Sequence, residues 1–364
     1  MKRLILLILN CFFLTMLLPA QEAEQTKPAV MRQYSQDEIQ NLVDNLMNEY
    51  IKQDLFSGVV LIAKDTKPVY LKAFGMADFE TKKENTTNTK FDIGSINKDF
   101  TAIAILQLAE KGLLNLDDKI DKYLNQFPKN VLDKVTIRQL LTHTSGFGDY
   151  FMIPGVIPKL RELTTVDQII STFKNEPLLF EPGTDRQYSN AGFAVLGAII
   201  ESITGMSYFD YVDKNILAPL KMNNTYFDYK KIRADKDIPA GYMFSSTGKK
   251  ERIDYEKSPS PAGSAFSTAT DLLKFELSIL FDNKLITDEM KILFANRYEK
   301  SSNVSWEKML LDSAYISAYA GGAPGRNSVV YSQPATGYLI IVLANYDEPI
   351  AEEVGNNIYK LQEQ

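Results

Sequence analysis

The chain has one cysteine, Cys11, and one histidine, His143, in 364 residues. Cys11 stands inside the N-terminal apolar run, so the rest of the chain has neither disulfide nor thiol chemistry, and packing alone must hold its core. A single histidine excludes zinc sites built from two or three imidazoles. No Gly-x-Ser-x-Gly occurs, which removes the nucleophile elbow of the α/β-hydrolases. There is no P-loop, no Gly-x-Gly-x-x-Gly behind a strand and no EF-hand spacing, so no cofactor and no metal are expected, a carboxylate-only calcium site staying open. The net charge is −6 and no basic run interrupts the chain, which argues against nucleic acid or an anionic membrane surface as partner.

Long apolar runs are also scarce. The longest, residues 4–18, follows Lys2-Arg3 and precedes Pro19-Ala20. It is shorter than the roughly 20 residues a membrane span needs. Residues 1–20 therefore read as a signal peptide, with a signal anchor as the alternative, and the mature chain is expected in the periplasm or outside the cell without a stable membrane span. Cys11 lies mid-run and not at its end, so lipidation is not expected. Residues 21–34 read as a polar linker.

What remains has the composition of a globular protein, 45% apolar and 24% charged, enough for one large domain or two intimately packed ones. Ser35 is a candidate N-cap, and Ile39, Leu42, Val43, Leu46 and Tyr50 follow at helical spacing. Residues 58–64 and 69–74 predict two strands joined by a turn at 65–68. Residues 328–333 and 337–344 predict two more, joined around 334–336, before a last helix over 351–361. The expected fold class is therefore α+β: an antiparallel sheet built from both termini (about 35–90 and 311–364), flanked by helices, with a mainly helical inserted part over about 95–310. Within that insert, helices are predicted over 95–111, 137–142, 191–204 and 271–281. The Pro- and Gly-rich loops 146–165, 175–189 and 257–267 are where a site is expected.

Three short segments carry candidate chemistry. Ser-x-x-Lys occurs four times, at Ser95/Lys98, Ser171/Lys174, Ser246/Lys249 and Ser305/Lys308, and only the first opens a long apolar helix. There the lysine lies one turn from the hydroxyl, and the helix N-terminus favours negative charge. The structural alternative is a helix cap beside a solvated lysine. Tyr-x-Asn occurs at Tyr123/Asn125 and at Tyr188/Asn190, the second on a loop just before an apolar helix. Tyr188 can aim a hydroxyl into a cleft, and Asn190 offers a donor and an acceptor. Gly321, Gly322 and Gly325 allow close approach of a ligand to backbone N–H groups, or make an ordinary turn before a strand. His143 reads as a structural or loop-anchoring residue.

Taken in order, these segments resemble the serine β-lactamase-like family of class C β-lactamases, DD-peptidases and related esterases. The resemblance runs from about residue 36 to 345. It includes Phe91-Asp92-Ile93-Gly94-Ser95, Leu140-Leu141-Thr142-His143-Thr144-Ser145-Gly146, Glu181-Pro182-Gly183, Pro219-Leu220-Lys221-Met222 and Ser267-Thr268-Ala269-Thr270-Asp271-Leu272. It implies a sheet part beside a helical part, with the site in the cleft between them. It implies Ser95 as nucleophile, Lys98 and Tyr188 sharing the general-base and general-acid work, Asn190 binding a substrate amide and positioning the lysine, and the N–H groups of Ser95 and Gly322 as oxyanion donors, on the segment with Gly321. One departure stands out: the third segment of the family begins with Lys or His, and here Tyr319 stands there. That tilts the expected substrate, a small-molecule or peptide acyl compound, toward uncharged esters, unless nearby Arg326 supplies the cation. The apolar loop 146–165 is either a rim for a hydrophobic group or simply packed. The expected function is an exported serine hydrolase working through an acyl-enzyme; the alternative is a β-lactam- or peptide-binding sensor with little turnover.

Overall fold

The structure, a computed structural model, describes residues 34–253, 258–296 and 317–361. The expected signal peptide and most of the linker lie outside these residues, as do Ser305, Lys308 and the stretch 311–316. The first helix, α1 (Gln36–Lys52), starts on a capping box: Ser35 accepts from the Glu38 N–H and the Glu38 carboxylate accepts from the Ser35 N–H. Ile39, Val43 and Met47 form its buried stripe.

Five strands follow in one sheet: β1 (Gly58–Lys64), β2 (Lys67–Phe74), β3 (Ser317–Ala323), β4 (Arg326–Gln333) and β5 (Tyr338–Ala344). Their order is β2-β1-β5-β4-β3 and every neighbouring pair is antiparallel. The two ends of the chain meet at the centre, where Gly58 pairs with Ala344 and Lys64 with Tyr338. Alternate side chains along a strand point to opposite faces. Val59, Leu61 and Ala63 of β1, with Leu339, Ile341 and Leu343 of β5, enter the larger core on the helical side. Val60, Ile62, Ile340 and Val342 enter a second core beneath α1 and the C-terminal helix. This double burial explains why both strands read as unbroken apolar runs.

The β1–β2 turn is tighter than the predicted 65–68. It consists of Asp65-Thr66, both at positive φ (48° and 73°), and β2 begins at Lys67. Pro68 sits within β2 where the register shifts opposite Ala63, which an edge strand tolerates. The glycine segment differs more: Gly321 and Gly322 lie inside edge strand β3, and the turn comes after them at Pro324-Gly325.

The insert contributes α2 (Asn97–Glu110), α3 (Asn190–Thr204), α4 (Ala269–Leu280) and several shorter helices. The last element, α5 (Ile350–Leu361), closes the sheet opposite them. A hairpin over Gly241–Phe244 and Lys250–Ile253, absent from the sequence reading, turns back to the sheet. The Tyr242 N–H donates to the Asn345 carbonyl, and Lys250 pairs with Asp54 at 2.8 Å over the Phe79 ring.

Candidate active site

Ser95 lies where the sheet meets the helices. The short strand Phe91–Asp92 pairs with Phe266–Ser267, and the chain then turns through the 3₁₀ segment Gly94–Ile96 into α2. Gly94 has φ +52°, which favours glycine, and its N–H donates to Asp92. The expected helix thus begins as one tight turn carrying Ser95, with Lys98 one turn on.

Lys98 is 1% exposed. Its Nζ donates to Ser95 Oγ at 3.1 Å, to Asn190 Oδ1 at 2.7 Å and to the Ala262 carbonyl at 2.5 Å. Three acceptors match the three donors of an ammonium. The amine also lies 4.6 Å from the centre of the Tyr188 ring and 5.6 Å from that of Phe193. On the other side of Ser95, its Oγ and Tyr188 Oη are 2.5 Å apart, and either can be the donor. Ser95, Lys98, Tyr188 and Asn190, predicted from two separate segments, therefore converge on one point.

Two residues complete this cluster without having been read as part of it. Asp149 accepts from Asn190 Nδ2 at 2.6 Å, so the amide is held by a carboxylate at one end and by Lys98 at the other. His143, expected to anchor a loop, anchors the one that carries Tyr188. Its Nδ1 accepts from the Ser189 N–H at 3.2 Å, its carbonyl accepts from the Gln187 N–H at 3.0 Å, and its ring lies 4.8 Å from that of Tyr188. Ser189 then caps α3 through the Gly192 N–H and donates to the Gly148 carbonyl. Backbone contacts on both sides of Tyr188 leave its ring little freedom.

The glycines of β3 are required by closeness. A Cβ on Gly321 would sit 2.1 Å from the Ile93 carbonyl oxygen and 2.5 Å from the Ser95 nitrogen. A Cβ on Gly94 would sit 2.5 Å from the Gly322 nitrogen, and one on Gly322 would collide with the Glu348 carboxylate. Strand β3 and the turn Gly94–Ile96 thus press together, bringing the Ser95 and Gly322 amides into one neighbourhood. Ser328 ties them by donating to the carbonyls of Ile93 and Gly321.

Tyr319 shares its face of β3 with Gly321, and its hydroxyl donates to Glu276 of α4. Arg326, the other candidate cation, is turned to Asp92 at 3.8 Å and to the Pro324 carbonyl. The apolar residues of loop 146–165 divide: Phe147, Tyr150 and Val156 are buried, Phe151 and Ile153 are half-buried, and Met152 and Ile157 are exposed. The remaining motif copies sit elsewhere. Ser171 donates to the Gln168 carbonyl at an exposed helix end, and Ser246/Lys249 lie in the hairpin turn. Tyr123 and Asn125 line a separate cavity of about 490 Å³ with Asp167 and Glu201, none of which belongs to the cluster around Ser95.

The family described as Beta-lactamase matches residues 39–364, and the chain belongs to that family of serine hydrolases. It is similar to penicillin-binding protein 4* of Bacillus subtilis, 27% identical over 87% of this chain and 73% of that protein. It is also similar to protein flp of Staphylococcus aureus, 28% identical over 84% of this chain, which spans 63% of that protein. Among solved structures, an octameric penicillin-binding protein homologue from Pyrococcus abyssi superposes with TM-score 0.75 at 25% identity, covering 88% of this chain and 76% of that one. A class C beta-lactamase shares the fold at TM-score 0.72, 22% identity, 90% of this chain and 97% of that one.

Proposed function

We propose that the chain is an exported serine hydrolase that cleaves an ester or amide through an acyl-enzyme. The junction of half-buried Ser95 and Tyr188 with buried Lys98 is the observation that carries this reading. Ser95 Oγ attacks the substrate carbonyl and its proton passes to the Tyr188/Lys98 pair. The oxyanion forms beside the Ser95 and Gly322 N–H groups; losing one such donor costs roughly 10²–10³ in rate. The leaving group departs with a proton from Tyr188. Water then attacks the ester, giving up its proton along the same path, and Ser95 is restored. Asn190, fixed by Asp149, positions Lys98 and offers its amide to the substrate. The residues around Ser95 supply nucleophile, base, acid and oxyanion donors, so the proposed cycle needs no metal or cofactor. Export is proposed from the charged start, apolar run and Pro19-Ala20 of residues 1–20.

Intact mass after incubation with a fluorophosphonate and, separately, a penicillin tests the chemistry. A single adduct is expected in the wild type and none in Ser95→Ala, with turnover of a simple ester lost. An unchanged esterase rate in Ser95→Ala would sink the mechanism. An adduct that forms once and never turns over would favour the sensor reading. The mass of the protein secreted by an exporting host tests cleavage near Ala20.

A further inference from the structure

We infer that Asn97 and Thr101 are positioning residues for Lys98: they grip the loop 260–263 by its carbonyls and so fix the point from which the lysine amine serves Ser95. The inference rests on the acyl-transfer reading and deepens it. Three consecutive carbonyls of that loop are each taken by a side chain from the start of α2. The Ser260 carbonyl accepts from Asn97 Nδ2 at 2.8 Å, that of Pro261 from Thr101 Oγ1 at 2.7 Å, and that of Ala262 from Lys98 Nζ at 2.5 Å. Residues three and four apart share a helix face, so positions 97, 98 and 101 present their donors together. All three side chains are at most 1% exposed.

Lysine carries its amine on a flexible four-carbon stem, and its acceptors must therefore set its place. Of these, Ser95 Oγ is the atom that reacts, which leaves Asn190 and the Ala262 carbonyl as the lasting anchors. Asn190 is held by Asp149. The Ala262 carbonyl is held through its neighbours in the loop. The Ser260 N–H donates to the Gly263 carbonyl at 2.9 Å and the Gly263 N–H returns to the Ser260 carbonyl at 3.1 Å, so the loop is closed on itself. Pro261 is wedged against α3, where a Cβ on Gly197 would lie 2.3 Å from its Cγ. Thr101 spends its one proton on Pro261, so the Tyr208 hydroxyl, 2.7 Å away, donates to Thr101 in turn. Without the Thr101 hydroxyl a buried carbonyl loses its donor. The loop then shifts to find another, and the Ala262 carbonyl moves with it.

The test is kcat and KM on p-nitrophenyl butyrate, beside the rate at which a fluorophosphonate adds to Ser95, for wild type, Thr101→Val, Thr101→Ser and Asn97→Ala. Rates are normalised to the fraction of protein that finally takes the label. Thr101→Val keeps the shape and removes the hydroxyl. It is expected to lower kcat about 10- to 100-fold, the cost of misplacing a reacting group by about 1 Å. The labelling rate should fall with it and KM should stay near wild type, because Thr101 is buried away from substrate. Thr101→Ser, which keeps the hydroxyl, should restore most of the rate. Should Thr101→Val not fold, Asn97→Ala carries the same test and should show the same split of kcat from KM. Wild-type kcat in the variants with only the melting temperature lowered, or a loss that Thr101→Ser shares in full, overturns the inference and leaves the hydrolase reading intact. No turnover and no adduct in wild type overturns both.

Discussion

Asn190 is gripped at both ends by groups of opposite charge, and its amide therefore has only one tolerable orientation. With Oδ1 toward Lys98 and Nδ2 toward Asp149, each hydrogen bond is charge-assisted. Flipped, the NH₂ would face an amine and the carbonyl a carboxylate. Asp149 should thus govern activity without touching substrate. Asp149→Ala is expected to lower kcat about 10- to 100-fold. It should also cost about 1 kcal/mol of stability, because Asp149 caps the turn Tyr150–Met152 through the Phe151 N–H. Asp149→Asn, which keeps an acceptor, should recover part of kcat. Steady-state kinetics beside a thermal melt decide this; loss of stability with kcat unchanged would reduce Asp149 to a cap. Ser95, Lys98, Tyr188 and Asn190 were legible in the sequence because each sits in a short pattern before a helix. Asp149 and His143 were not legible as site residues, because their partners lie more than 40 positions away along the chain and only the tertiary fold brings them together.

Between elements, the decisive contact is that of β3 with the turn Gly94–Ile96. The glycines are evident in the sequence, where they are expected before a strand. They lie in the strand because register with β4 is set by pairing across the sheet, from Arg326 with Ala323 to Ser332 with Ser317, which no local pattern encodes. That register explains why a methyl group is excluded at Gly321: it would meet backbone on the turn that carries Ser95, and backbone cannot rotate aside as a side chain can. Gly321→Ala should push strand and turn apart and separate the Ser95 and Gly322 amides. The expected result is a loss of at least 100-fold in the acylation rate, with the melting temperature lowered by a few degrees only, since the strand is at the sheet edge. Wild-type acylation in Gly321→Ala would show that the close approach serves packing alone. The Gly241–Ile253 hairpin was missed for a related reason. Its two strands are short, and what holds them is a cation over aromatic rings supplied from distant parts of the chain, with Lys250 reaching Phe79 and Tyr346.

Across the whole molecule, the sheet joins both ends of the chain between two cores, and this was legible because its central strands are apolar on both faces. Closing the second core depends on how α5 seats on β4 and β5, where no sequence pattern signals a pH-sensitive join. The Ala351 N–H donates to Asn327 Oδ1 on β4, whose register partner is Gly322 of β3. Glu352, next along, is half-buried. Burial lifts its carboxyl from 4.5 to about 7, Glu348 and Glu353 add like-charge repulsion, and the hydrogen bond from Asn327 offsets only part of this. In the unfolded chain the same group titrates in the ordinary range, so between the two values the folded state holds the proton more tightly. Its contribution to stability is complete below about pH 4.5 and is lost as the pH rises to about 7. A shift of this size at a half-buried site is worth about 1–3 kcal/mol. Glu352→Gln replaces the carboxyl by a neutral group of the same shape and removes the titration. Melting temperatures of both proteins at pH 5 and pH 8 give the check. The two should be similar at pH 5, and the variant should melt higher by several degrees at pH 8, because wild type alone carries the ionised group there. An equal change with pH in both would mean that Glu352 is solvated when α5 is seated, and that the join between helix and sheet holds no buried charge.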